Sequence, residues 1–280
     1  MIIPQMTSLM SSGRSVALME EAVRRVGIVR AFGNGRFERR TDEVLEEETV
    51  SLVVDGREEA SVILTPGNEA EWALGHLACR RMILSMEDVA SLEVEPGRVL
   101  LARRVARDGI PLKTRIVHTA STRLGERSRV MEALPRPLPA DWTVPFEAVQ
   151  EAIAELSEAP LFGRTGSVHV AVLVSVEKDG ERFRVEDVGR HNAVDKAVGW
   201  AMRKNLDLSR TFLAVSGRLP ADMVLKAIGA RIPLLASVSA ATAAGVDAAL
   251  EGGVTLIGFA REGRMNIYSV PERIEGCSKV

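Results

Sequence analysis

The sequence predicts an α/β fold: a parallel or mixed sheet covered by helices in the C-terminal half, preceded by a smaller antiparallel sheet. Three observations carry this reading. From Val168 onward, apolar β-branched runs alternate with helically spaced segments, the pattern of successive strand–helix units. Before Leu64 the chain shows strand-like runs that turn at Asp55-Gly56, a strong hairpin signal. Apolar residues make up 46% of 280 residues but aromatics only 4%, so a real core is affordable only from Ala, Val, Leu and Ile.

Taken in order, Met1 to Gly13 is Ser- and Met-rich and reads as a frayed end, and Ser15 to Val26 has helical spacing. Strand-like runs follow at 27–30, 36–40, 49–54 and 59–64, joined in the last case through Asp55-Gly56. Thr65-Pro66-Gly67-Asn68 breaks the strand. Glu69 to Arg81 then carries Ala70, Ala73, Leu74, Leu77 and Ala78 on one side of a helix, and Cys79 within it reads as a small buried hydrophobe. Leu92–Val94 and Val99–Val105 form a second hairpin around Pro96-Gly97. Pro135, Pro137 and Pro139 mark a linker, and Val144 to Ser157 returns to helical spacing. The later half reads as strands at 168–176, 182–188, 211–215, 232–238, 254–259 and 266–269. Helices fall at 192–205, 220–229 and 242–250 between them. This divides the chain into an N-terminal extension (1–27), a smaller α+β domain (28–140) and an α/β core domain (141–280).

A net charge of -2 and a pI near 6.2 give no global basic field and argue against nucleic acid. Local basic residues (Arg80, Arg81, Arg103, Arg104, Arg127, Arg129) suit at most one anionic ligand. Two cysteines, Cys79 and Cys277, exclude a disulfide framework and fit a reducing cytoplasm. Met1 to Arg14 lacks the apolar stretch of a secretion signal, and no run reaches a membrane span.

In open α/β sheets ligands bind beyond the carboxyl ends of the strands. Strand 182–188 is followed by Gly189-Arg190-His191-Asn192, within the polar cluster Glu186 to Lys196. Strand 211–215 is followed by Ser216-Gly217-Arg218, strand 232–238 by Ser239-Ala240-Ala241-Thr242, and strand 254–259 by Ala260-Arg261-Glu262-Gly263-Arg264. Small residues let backbone amides approach phosphates, and arginine forks pair with phosphate oxygens. If the four exits share an edge, they line one crevice for a phosphorylated or nucleotide-like ligand. Asn192 is the expected N-cap of the helix that follows the first exit, leaving free amides beside Arg190 and His191. Asp187, Asp195 and His191 are a conceivable acid–base set. His169 reads as a core histidine, and His76 and His118 have no ligand pattern around them. No Walker loop, Gly-x-Gly-x-x-Gly fingerprint, nucleophile elbow or zinc-type cysteine pair is present.

The string Glu186 to Lys196, Ser216-Gly217-Arg218, Ile232 to Ser239 and Gly258 to Asn266 together resemble the FdhD family of formate dehydrogenase accessory sulfur carriers. Thr65-Pro66-Gly67-Asn68-Glu69 followed by Ala73-Leu74-Gly75 is also similar to it, so the resemblance runs from about Glu43 to Tyr268. It implies a cytidine deaminase-like mixed-sheet core with helices on both faces, plus a smaller α+β N-terminal portion. It implies a homodimer that takes sulfur from a cysteine desulfurase and passes it to a molybdenum bis(molybdopterin guanine dinucleotide) cofactor bound for formate dehydrogenase. It also implies a cofactor-binding segment at Phe259, Ala260, Arg261, Glu262, Gly263 and Arg264. With the strand exits, the candidate set adds Asp187, Gly189, Arg190, His191, Asn192, Ser216, Gly217 and Arg218. The family's persulfide loop is a Cys-Gly-x-Cys-Gly-like segment. Here the approach His118-Thr119-Ala120-Ser121 leads into Thr122-Arg123-Leu124-Gly125, without a cysteine. A persulfide needs a thiolate, so three readings stand: a cofactor-handling accessory protein with sulfur transfer altered or lost, a sulfurtransferase in which Cys277 of the C-terminal tail stands in, and a non-catalytic cofactor-binding or interaction protein on the same scaffold.

Overall fold

The computed structural model describes residues 22–109, 138, 141–177 and 180–277. The segments 1–21 and 110–137 lie outside it, and with them the approach and loop at 118–125.

The described residues form three sheets. Strands β1 (Val23–Ala31) and β2 (Phe37–Leu45) make a two-stranded antiparallel ribbon of their own. The helical spacing read over Ser15 to Val26 therefore fails at its end, where Val23–Val26 are extended and paired with Asp42–Leu45. The next strands are β3 (Glu48–Val54), β4 (Arg57–Leu64), β5 (Val89–Glu95) and β6 (Arg98–Arg103). They form a four-stranded sheet in the order β4-β3-β6-β5. The Asp55-Gly56 hairpin is as expected, both residues having positive φ (49° and 78°), which a two-residue turn between right-twisted strands requires. The sheet is mixed rather than antiparallel, because β3 runs parallel to β6 across the intervening helix α1 (Glu69–Cys79).

The second half supplies α2 (Phe146–Glu155), a short α3 (Pro160–Thr165) that sequence spacing does not reveal, β7 (His169–Ser175), β8 (Arg182–Asp187) and α4 (Arg190–Arg203). Then follow β9 (Thr211–Val215), α5 (Ala221–Gly229), β10 (Leu234–Ser237), α6 (Ala243–Gly252), β11 (Thr255–Arg261) and β12 (Arg264–Ser269). The six strands order as β12-β11-β10-β9-β7-β8. Strand β9 is antiparallel to β7, and β7 to β8, so two reversals leave β8, β9, β10 and β11 running the same way.

Period-two alternation sends the two faces of this sheet into different cores. Val170, Val172, Val174, Phe212, Ala214, Leu234, Ala236 and Ile257 pack with Val149, Ala152 and Ile153 of α2. Ala171, Leu173, Leu213, Val215, Leu235 and Leu256 face α4, α5 and α6, and that core continues through α1 to Val50, Leu52, Val99 and Leu101 of the four-stranded sheet. Helices thus cover both faces of a mixed sheet. Glycines bring the helices of the second core together: a methyl on Gly75 would land on the Asp195 carbonyl, and one on Gly199 on the Glu71 carbonyl. No helix among the described residues is long and apolar enough to cross a membrane.

Candidate functional site

Because β8 to β11 run in one direction, all four strand exits open on one edge of the sheet. Helices α4, α5 and α6 begin there, so three helix N-termini face the same space and make it favourable for anions. The reversed strand β7 starts at this edge too: His169 pairs in register with Asp187. His169 is therefore at the site and half-buried, not a core residue. A two-residue hairpin turn at Asp179-Gly180 would place it opposite residue 190, three residues from the observed partner, so the sequence brings it near this edge only coarsely.

Helix α4 starts one residue after Gly189, which is its N-cap and offers no side-chain bond. Asn192 is not the cap. It sits inside the first turn, buried, and donates to the Ile63 carbonyl (2.9 Å) and to Asp187 Oδ1 (3.1 Å). Asp187, at 0% exposure, also accepts from Gly189 N (2.8 Å) and Thr65 N (3.1 Å) and pairs with Lys196 Nζ at 2.8 Å. Lys196 in turn donates to the Thr65 carbonyl (2.7 Å), and Val188 N donates to Thr65 Oγ1 (3.0 Å). The densest part of the Glu186–Lys196 string is thus a lock joining the β8–α4 junction to the end of β4.

The conceivable acid–base set separates in space. Asp187 belongs to that lock, Asp195 pairs with Lys226 and lies 3.5 Å from His76 Nδ1, and His191 Nε2 meets Asp222 Oδ2 at 3.1 Å. Burial alone raises the Asp195 carboxyl, but Lys226 and His76 more than reverse this and hold it below the ordinary carboxylate value. Burial pushes His76 down from 6.5 to about 4, with Arg80 and Lys226 adding to it against the pull of Asp195. Above pH 6.5 His76 is neutral in both folded and unfolded chains. Below it the unfolded chain takes up a proton that the folded chain refuses until about pH 4. Stability should therefore fall between pH 6.5 and 4, by up to ~3 kcal/mol from this residue. Urea midpoints of the native chain and of His76→Gln at pH 7 and pH 5 check this: equal pH slopes in the two would refute it.

Facing the open edge are Arg190, His191, Ser216, Gly217, Arg218 and the β11–β12 turn. The Arg190 stem lies over Gly217, where an added Cβ would sit 3.3 Å from Arg190 Cβ and Cδ and 3.6 Å from His169 Nδ1. Arg190 Nε is buried and finds no hydrogen-bond partner among the described residues. Ser216 Oγ accepts from Val170 N (2.9 Å) and stands 3.3 Å from His169 Nδ1. Burial, then the charges of Arg190 and His191, lower the His169 pKa, so a neutral ring can accept the Ser216 proton. The Gly217 carbonyl is held by Ser237 Oγ at 2.7 Å. Arg218 is exposed.

The β11–β12 ladder breaks register between Gly258 and Arg261, and Phe259 in that break has φ 51°. A left-handed aromatic costs on the order of 1–3 kcal/mol and survives only where its surroundings impose it. Here Phe259 N is bonded to the Ser239 carbonyl (3.0 Å), which ties the β10 exit to the β11 exit. Arg261, Glu262, Gly263 and Arg264 are exposed in the turn, while Ala260 points into the α2 core.

Neither cysteine is at this edge. Cys79 is buried on α1, and burial with the nearby Asp195 charge raises its thiol pKa, which makes it a poor nucleophile. Cys277 is partly buried beside the α2 core, three residues after Ile274. That segment is pinned to the amino edge of the sheet, because Arg273 donates to the carbonyls of Pro233 (3.1 Å), Gly253 (2.7 Å) and Leu138 (2.9 Å). Of the local basic residues, Arg80 is buried and Arg103 is committed to Asp55 at 2.8 Å, while Arg127 and Arg129 lie outside the described residues.

A model of the FdhD/NarQ family matches residues 45–275. The chain is 39% identical over 267 residues to the sulfur carrier protein FdhD of Anaeromyxobacter dehalogenans strain 2CP-C, covering 83% of this chain and 88% of that one. It is 33% identical to the sulfur carrier protein FdhD of Methanothermobacter thermautotrophicus, covering 83% and 92%. It is also similar to the crystal structure of a proposed formate dehydrogenase accessory protein from Desulfotalea psychrophila. That match has a TM-score of 0.73 at 26% identity and covers 90% of this chain and 99% of the other. On these matches the chain belongs to the FdhD/NarQ family.

Proposed function

We propose that this chain is an accessory protein in formate dehydrogenase maturation. In this reading it binds the guanine dinucleotide form of the molybdenum cofactor as its cargo and supports sulfuration or insertion of that cofactor. The observation that carries the reading is the convergence of four strand exits and three helix N-termini on one edge, with Arg190, His191, Arg218, Arg261 and Arg264 around it. Such an edge suits pyrophosphate, through free amides and arginine forks. Asp187 and Asn192 serve it from behind, by fixing the junction rather than by touching cargo. Cysteine desulfurase and formate dehydrogenase are the partners, and two copies of the chain associate.

Thr122-Arg123-Leu124-Gly125 offers no thiol, Cys79 is inert by burial, and Cys277 is at the far edge of the sheet. This supports cofactor handling without sulfur carriage by this chain. Two measurements test the reading. Calorimetry with guanosine diphosphate as probe should give saturable one-site binding, and no heat at millimolar nucleotide would sink the crevice assignment. Labelled sulfur from cysteine and a desulfurase should leave no persulfide on the chain. A label that persists on the native protein and vanishes in Cys277→Ala would instead make Cys277 the carrier.

A further inference from the structure

The β1–β2 ribbon stands apart from the rest of the molecule. Nine residues of each strand pair only with one another. Its root is anchored: Ala22, Val23 and Leu45 pack on Leu161 and Val168, Glu46 N donates to the Ala22 carbonyl (2.8 Å), and Arg164 forks onto Glu43 (2.8 and 3.1 Å). Beyond Gly27 and Thr41 no such anchor exists among the described residues. There Val29 is 62% and Phe37 69% exposed. In the ladder Val29, Ala31 and Phe37 lie on the same side as Gly27, with Arg39 opposite Val29 the one charge among them, while Arg30 and Arg40 lie on the other side. A two-stranded ribbon is marginal in water without a surface to cover it. This one is nevertheless built with an Arg36–Phe32 cation–π contact at 4.2 Å to close its tip.

The charge of the free half identifies what covers it. Residues 27–41 carry Arg30, Arg36, Arg39 and Arg40 against one acid, Glu38, which is shared between Arg36 (3.3 Å) and Arg40 (2.6 Å). The complement is an edge strand with acids on one face and an exposed apolar side chain on the other, and the chain itself has one. Strand β5 is an open edge of the four-stranded sheet, with exposed Glu93 and Glu95 on one of its faces and Val94, which is 51% exposed, on the other. We propose that the β1–β2 ribbon is the arm by which two copies of this chain associate, each ribbon seated on the β5 edge of the other copy. Reciprocal seating closes a twofold dimer, because each copy offers one arm and one edge. The inference rests on the reading above that two copies associate, and names the surface. The arms are small, so the dimer belongs among weak interfaces, with Kd on the order of micromolar.

Sedimentation velocity of the full chain from about 1 to 100 µM tests this. The native protein should shift from monomer to dimer across the range, and raised salt should weaken the shift. The double variant Val29→Glu, Phe37→Glu should weaken association at least ten-fold with an unchanged Tm, since both side chains are exposed. Phe37→Cys mixed with Val94→Cys, each in a Cys277→Ser background, should form a disulfide between copies when oxidised by dissolved oxygen. A monomer at every concentration overturns the proposal, as does a dimer indifferent to the double variant or without the cross-link. Guanosine diphosphate binding is measured on the same samples, so loss of the dimer with binding intact is told apart from failure of the crevice reading.

Discussion

Lys196→Met is expected to lower the free energy of unfolding by roughly 3–5 kcal/mol, a large part of what a domain possesses. The cause is the carboxylate it strands. Asp187 has no exposure to water, and the Lys196 ammonium is its one cationic partner among the described residues, at 2.8 Å. The remaining donors, the amides of Thr65 and Gly189 and the Asn192 side chain, satisfy lone pairs but not charge. The Thr65 carbonyl loses its bond as well. Asp187→Asn combined with Lys196→Met should recover part of the loss, since no charge is then left buried. Urea unfolding of the three variants decides it: a double variant no better than the sum of the singles would show that the pair is not coupled as its geometry demands.

Arg190→Ala is expected to weaken guanosine diphosphate binding by about 10–100-fold while moving Tm little, because charge-assisted hydrogen bonds contribute roughly 1.5–3 kcal/mol. Arg190 has a buried Nε–H with no partner among the described residues, beside the uncapped start of α4. Arg190→Lys should not restore affinity, since a single ammonium does not reproduce the guanidinium fork. Gly217→Ala offers an independent arm: its methyl would press on the Arg190 stem at 3.3 Å and turn the guanidinium away without removing it. Calorimetry on all three is the measurement. Native affinity in Arg190→Ala, at matched salt, would move the phosphate site away from this edge.

The parts of the molecule that were legible in the sequence are those dictated locally. The hairpin at Asp55-Gly56, helix α1 and the strand–helix alternation after residue 168 follow from φ preferences and apolar period. Whether the four exits shared an edge depended on pairing, and the two antiparallel steps on either side of β7 settled it. Asn192 read as a cap because its chemistry suits one, yet a distant acceptor, the Ile63 carbonyl, claimed its amide. Thr65 read as a strand breaker, and nothing local says that its amide, hydroxyl and carbonyl are all taken by residues more than a hundred positions away. The resemblance had grouped Thr65-Pro66-Gly67 with Glu186–Lys196, and the lock supplies a physical reason for that grouping. His169 was missed because an apolar neighbourhood in sequence does not reveal which end of a strand reaches an edge.

The lock at Thr65 also bears on how separable the two halves of the chain are. With α1 laid glycine-close on α4 and the Asp187–Lys196 pair closed by a residue from the far end of β4, neither half has a finished surface at their seam. A piece ending before α2 would uncover apolar α1, and a piece starting there would carry Asp187 and Lys196 without the backbone that completes their bonding. The halves are therefore complementary fragments rather than portable modules: each is the other's template, and a recombined gene that swapped one half for a relative's would have to carry Thr65 and the glycines of the seam with it.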